Sequence, residues 1–106
     1  MPEGEWVRSY PAAITVCNTE GIISEMNDMA VIFFEKFGGK DLIGRSVLDC
    51  HTEPTRSKLK ESLENQTAIS LIKVKDGVRK LVSQAPWFKE GKYMGLVAMM
   101  MVLPGE

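Results

Sequence analysis

The chain has 106 residues, 44% of them apolar and 25% charged. Those proportions match a soluble globular chain and exclude disorder or collagen-like sequence, and the length suits one core rather than two. Lys plus Arg number 13 against 14 Asp plus Glu, a net charge of -1, so no basic field draws the chain to nucleic acid or to anionic lipid.

The most apolar window, Met94 to Leu103, is about half the roughly 20 residues needed to cross a bilayer. Glu3 and Glu5 stand where a secretory leader would carry Lys or Arg, so the expectation is a soluble, cytoplasmic protein. Cys17 and Cys50 are too few for a disulfide framework, and with His51 they fall short of a zinc ligand set.

Residues 1–11 mix Pro, Gly and charge with Trp6, Val7 and Tyr10 and read as an N-terminal lead-in or cap. Residues 12–18 form a short run rich in β-branched types, Thr19-Glu20-Gly21 a turn, and Ile22 to Glu25 a second run, together a β-hairpin. Asn27 and Asp28 are helix-capping types, and Met29, Ile32, Phe33, Phe34 and Phe37 follow at helical spacing up to Gly38-Gly39. That predicts one helix of about ten residues. Residues 40–49, broken by Gly44, suit one or two single-turn helices. Pro54-Thr55 then opens a second helix ending near Asn65, with Leu59 and Leu63 on one face.

From Ala68 the period becomes that of strands: Ala68 to Lys75, Val78 to Pro86 and Tyr93 to Leu103. Asp76-Gly77 is a tight hairpin turn and Lys89 to Lys92 a longer polar loop. The last strand is almost wholly apolar, which places it centrally in the sheet or buries both its faces. The expected class is α+β, with short helices packed on one face of an antiparallel sheet.

This order resembles the PAS domain, a sensory module, from about Pro11 to Leu103. The residues that carry the likeness are Ile14-Thr15-Val16-Cys17-Asn18-Thr19-Glu20-Gly21-Ile22-Ile23, then Asn27-Asp28-Met29-Ala30, then Leu42-Ile43-Gly44-Arg45-Ser46-Val47-Leu48-Asp49, then Lys89 through Val97. Ile43-Gly44-Arg45-Ser46-Val47 followed by Cys50-His51 is most similar to a bacterial subgroup with an Ile-Gly-Arg/Lys-x-Val-x-x-Cys-His-Pro-Pro stretch, from which Thr52-Glu53-Pro54 departs. The resemblance implies a five-stranded antiparallel sheet, helices on one face and a cavity between them. The domain then spans residues 12–103, with 104–106 a tail. It implies a sensory or regulatory module that binds a small ligand and signals through protein contacts, with a ligand-free dimerisation domain as the alternative, and no enzymatic activity.

The candidate cavity residues are Phe33, Phe37, Leu48, Cys50, His51, Leu59, Met99 and Met101. Cys50-His51 is the one place where two reactive side chains meet, yet neighbours in sequence seldom bond to each other, so catalysis is not expected. His51 is the single histidine and hence the one imidazole a haem could use. Haem-binding relatives carry that residue on the long helix before the third strand, where this chain has none, so the cofactor stays open between haem and another small molecule. The light-sensing flavin motif is absent. Alternate residues of a strand face opposite ways, so Met99 and Met101 share one face and Met100 the other, one set for the cavity and one for a partner, with core filling as the alternative. Trp6, Tyr10, Trp87 and Phe88 are candidates for a dimer or partner contact. Arg45, Arg56 and Arg79 each offer a guanidinium fork to an anion, with solvated surface as the alternative.

Overall fold

A computed structural model describes residues 5–104, with Cys50 described by its backbone alone. Residues 1–4 of the lead-in, residues 105–106 of the tail and the Cys50 side chain lie outside the described residues. A single helical turn, α1 (Glu5–Arg8), precedes the hairpin β1 (Ala13–Cys17) and β2 (Ile23–Met26). Helix α2 (Asp28–Phe33), short 3-10 turns at Glu35–Phe37, Gly39–Leu42 and Val47–Cys50, and helix α3 (Thr55–Asn65) follow. Strands β3 (Ile69–Lys75), β4 (Val78–Lys89) and β5 (Lys92–Val102) complete one antiparallel sheet in the order β2-β1-β5-β4-β3.

The apolar β5 is the central strand, paired with β1 on one side and β4 on the other. Its place between them demands a glycine: Gly95 has φ of 131°, and a Cβ there would overlap the backbone of Cys17 and Asn18 where β1 leaves the sheet.

Two predicted elements change shape. The single helix through Phe37 ends after six residues at Phe34, which has φ of -102° and ψ of 20°, and resumes as a 3-10 turn. The apolar spacing that suggested one face is not one face, since Ile32 and Phe37 are 63% and 68% exposed. Backbone bonds fold the chain back instead, the N–H of Gly39 reaching the carbonyl of Phe34. The expected long loop at Lys89 to Lys92 is a two-residue turn, Glu90-Gly91, with φ of 53° and 81°, the same left-handed pair as Asp76-Gly77 at 53° and 78°.

Asn27 joins four segments, and all four bonds an amide side chain can make are present. Its Oδ1 accepts from Ile14 N at 2.9 Å and from Ala30 N at 3.0 Å, the latter capping α2. Its Nδ2 donates to the carbonyls of Val7 at 2.9 Å and Ala12 at 2.8 Å, which fastens α1 and the approach to β1. The segment Ile43-Gly44-Arg45 is stitched along β2 by Gly44 N to Ile23 O at 2.8 Å and Ile23 N to Arg45 O at 2.9 Å, and Ile22 bridges Ser46. These bonds set Arg45 at the edge of the space between helices and sheet.

Candidate functional site

Register decides which side chains face the helices. Ala13, Thr15 and Cys17 of β1 pair with Met100, Ala98 and Leu96 of β5, and Met100 and Ala98 pair in turn with Val82 and Gln84 of β4. All of these share the inner face. Leu96 is 2% exposed and packs with Cys17, Leu59 and Leu63, whereas Ala13, Ile23, Met26, Ala30 and Leu42 form a second cluster. Between the clusters lies a partly open cavity of about 540 Å³, within the range of small-molecule sites.

Its floor is the row Thr15, Ala98, Gln84, where a methyl group sits between two hydrogen-bonding side chains. The small Ala98 is the reason there is room, because Leu96 and Met100 on either side of it in β5 are large. Apolar walls come from Met26, Phe34, Leu42 and Leu59. Toward solvent the wall turns polar, with Arg45, Asp49, His51, Thr55 and, from β3, Lys73.

His51 is exposed, yet the protein packed around it and then the nearby Lys73 ammonium hold its pKa below the ordinary histidine value. Burial pushes the Cys17 thiol up, against a smaller opposing effect of a hydrogen bond from the Leu96 backbone. The Glu53 carboxyl is held low by hydrogen bonds from the Ser57 hydroxyl at 2.6 Å and its backbone N–H at 3.1 Å, which satisfy the entrance of α3. At the far end of α3, Tyr93 donates to the carbonyl of Leu63 at 3.0 Å and pins the helix to β5.

Of the eight candidate residues, Phe37, His51, Leu59 and Met99 border the cavity. Phe33 does not: it packs edge-on against Phe34 at 5.6 Å, and the Lys80 ammonium stands 4.7 Å over its ring. Leu48 packs instead against the Cys17, Leu59, Leu63, Leu96 cluster. Met99, although it borders the cavity, pairs with Ser83 and shares the outer parity of β5 with Met101, which pairs with Leu81, while Met100 has the inner one. The register of β5 against β1 set that parity, and spacing within the strand could not choose it. For Cys50 the side chain lies outside the described residues.

Sequence reasoning missed Thr15, Gln84, Ala98 and Lys73. A small residue inside an otherwise bulky strand, Ala98, was the available signal. Of the three candidate arginines, Arg45 borders the cavity and Arg56 and Arg79 do not. Trp87 lies on the outer parity with its indole N–H buried and without a hydrogen-bond partner among the described residues, and Phe88 is half-exposed against Tyr93, ring centroids 6.0 Å apart.

An axial haem ligand needs an enclosed imidazole whose second nitrogen is held in place. His51 stands at the open rim beside a cation, and no hydrogen bond among the described residues fixes its ring. The residues therefore do not fit a haem ligated by His51. No group of three or more His, Cys, Asp or Glu that could hold a metal ion exists among the described residues. Among the described residues, no helix is long and apolar enough to cross a membrane.

No family model matches the chain, and no curated protein matches it. Solved structures do. The PAS domain of nitrogen regulation protein NR(II) from Vibrio parahaemolyticus superposes with a TM-score of 0.65 at 17% identity, covering 97% of this chain and 99% of that one. The PAS domain from Bordetella pertussis BvgS gives 0.67 at 14%, covering 95% and 83%. The Aer2 receptor from Vibrio cholerae, described as a dual PAS-heme oxygen sensor, gives 0.64 at 14%, covering 88% and 95%. With a five-stranded antiparallel sheet, short helices on one face and these neighbours, the chain has the PAS fold.

Proposed function

We propose that this chain is a sensory or regulatory module that binds a small molecule in the cavity between helices and sheet and passes the change on through protein contacts. The cavity carries the reading: a partly open space of about 540 Å³ with apolar walls, a floor of Thr15, Ala98 and Gln84, and a rim of convergent polar side chains. Its likeness to PAS domains of signalling proteins supports the same assignment by analogy of fold. We further propose that it is not an enzyme. The Cys17 thiol on the cavity wall is pushed toward its protonated, unreactive form by burial.

The test is a thermal-shift and native mass-spectrometric screen of metabolites against the wild-type chain and Ala98→Leu. A ligand that binds only the folded state raises the melting temperature by mass action. The expected result is a shift or adduct with wild type that Ala98→Leu abolishes while its own fold is kept. Identical behaviour of both proteins, with no adduct on either, would refute cavity binding.

The outer face of the sheet favours a second reading, a ligand-free interaction domain. Ile72, Leu81 and Met101 form one row across β3, β4 and β5 there, with Ile72 and, further along β3, Val74 at 51% and 66% exposure. Sedimentation of wild type beside Val74→Glu separates the readings. A dimer that the charge disperses supports this second one, and a monomer at all concentrations removes self-association from it.

A further inference from the structure

Resting on the proposed cavity function, we propose that the ligand is an amphipathic monocarboxylate: an apolar body seated on the Met26, Leu42, Leu59 and Ala98 surfaces, with its acidic head held at the rim by Arg45 and Lys73. Two features of the cavity converge on this chemistry. The interior is largely hydrocarbon, interrupted by the neutral Thr15 and Gln84 of the floor, and an ionised group would be costly to bury there. The fixed cations stand at the opening, Arg45 from the segment stitched to β2 and Lys73 from β3.

Neither cation is already neutralised. Among the described residues the one ion pair is Arg8 with Asp28 at 4.0 Å, far from this wall in sequence, so no carboxylate holds Arg45 or Lys73. Asp49 is the single carboxylate on the wall. Two fixed cations against one anion leave one positive charge, which matches a carboxylate better than a doubly charged phosphate ester. A guanidinium presents two parallel N–H groups to a carboxylate, and an ammonium adds a point charge. His51 and Thr55 on the same rim supply further donors.

The experiment titrates the full chain with sodium octanoate and sodium decanoate, and in parallel with octanol and decanol, followed by amide correlation spectra. The acids should bind at least ~10-fold more tightly than alcohols of equal length, since a single charge-assisted contact is worth that much. Backbone amides near Ala98, Arg45 and Lys73 should shift together. Arg45→Gln and Lys73→Met should each remove most of that preference while leaving the alcohol affinity unchanged. Both substitutions fall on exposed side chains, so both variants should fold. Equal affinity of acid and alcohol, or a preference indifferent to both substitutions, overturns the carboxylate assignment. If Ala98→Leu nonetheless blocks acid and alcohol alike, the cavity function stands without it. Absence of binding by either series also overturns the assignment, and the metabolite screen then judges the cavity function separately.

Discussion

Replacing Asn27 should be the most damaging single change outside the sheet. The residue is 4% exposed and makes four hydrogen bonds of 2.8 to 3.0 Å to α1, the approach to β1, β1 itself and α2. In Asn27→Ala the N–H of Ala30 loses its cap, and Ala30 is fully buried, so water cannot replace the lost acceptor. A lost cap costs about 1 kcal/mol, and each further buried group left unpaired costs about 1 to 3 kcal/mol. The carbonyl of Ala12 is such a group, whereas the part-buried N–H of Ile14 and carbonyl of Val7 can turn in part to water.

The sum is not additive, and a total near 2 to 4 kcal/mol is a large part of the roughly 5 to 15 kcal/mol that holds a domain folded. For a domain of this length it corresponds to a fall in Tm of roughly 8 to 20 °C. Asn27→Asp separates the two halves of the junction. It keeps an oxygen for Ile14 and Ala30 but turns a second oxygen toward the carbonyls of Val7 and Ala12, so its damage should concentrate at α1. Urea denaturation measures the global loss, and hydrogen exchange over residues 5–12 measures the local one. An Asn27→Ala midpoint within about 1 kcal/mol of wild type would refute the reasoning, because a single net hydrogen bond is worth that much.

Three further outcomes follow from the geometry. Gly95→Ala should cost about 3 kcal/mol or more, because both the backbone angle and the crossing β1 backbone reject a Cβ; a urea midpoint unchanged from wild type would contradict it. Ser62 is fully buried on α3 with its hydroxyl unpartnered among the described residues. Ser62→Ala should therefore stabilise the protein by about 0.5 to 1 kcal/mol, and a loss instead would show that the hydroxyl bonds back along its helix. His51 has a folded-state pKa below its ordinary 6.5, with Lys73, Arg45 and Asp49 on the same wall. Stability tied to its neutral form is full above pH 6.5 and is lost as pH falls from there through the folded-state value. His51→Gln should remove that acid-side loss, so the stability gap between variant and wild type should widen in the variant's favour on acidification. A gap independent of pH would show that His51 titrates alike in the folded and unfolded chains.

Local chemistry made much of this architecture readable without coordinates. Asp76-Gly77 is a two-residue turn because Gly and a short polar residue tolerate positive φ, and the last strand is central because eleven residues with so little charge need neighbours on both edges. Asn27 and Ala30 were visible as a cap and a small residue three places on. The helix through Phe37 was misread because aromatic spacing looks the same whether a segment continues or folds back. Here the backbone of Phe34 and Gly39 decided the matter.

The site divides along the same line. Composition, turn chemistry and periodicity are properties of neighbours along the chain, and they determined an α+β domain with helices on one side of an antiparallel sheet. Which face of β5 meets the helices depends on its register with β1, a relation between residues 79 to 87 positions apart. Only the folded chain therefore put Met100 inward and Met101 outward, opened space over Ala98, and brought Arg45, His51 and Lys73 to one rim. Spacing of charges along the sequence carries no trace of that meeting, because long-range packing alone creates it.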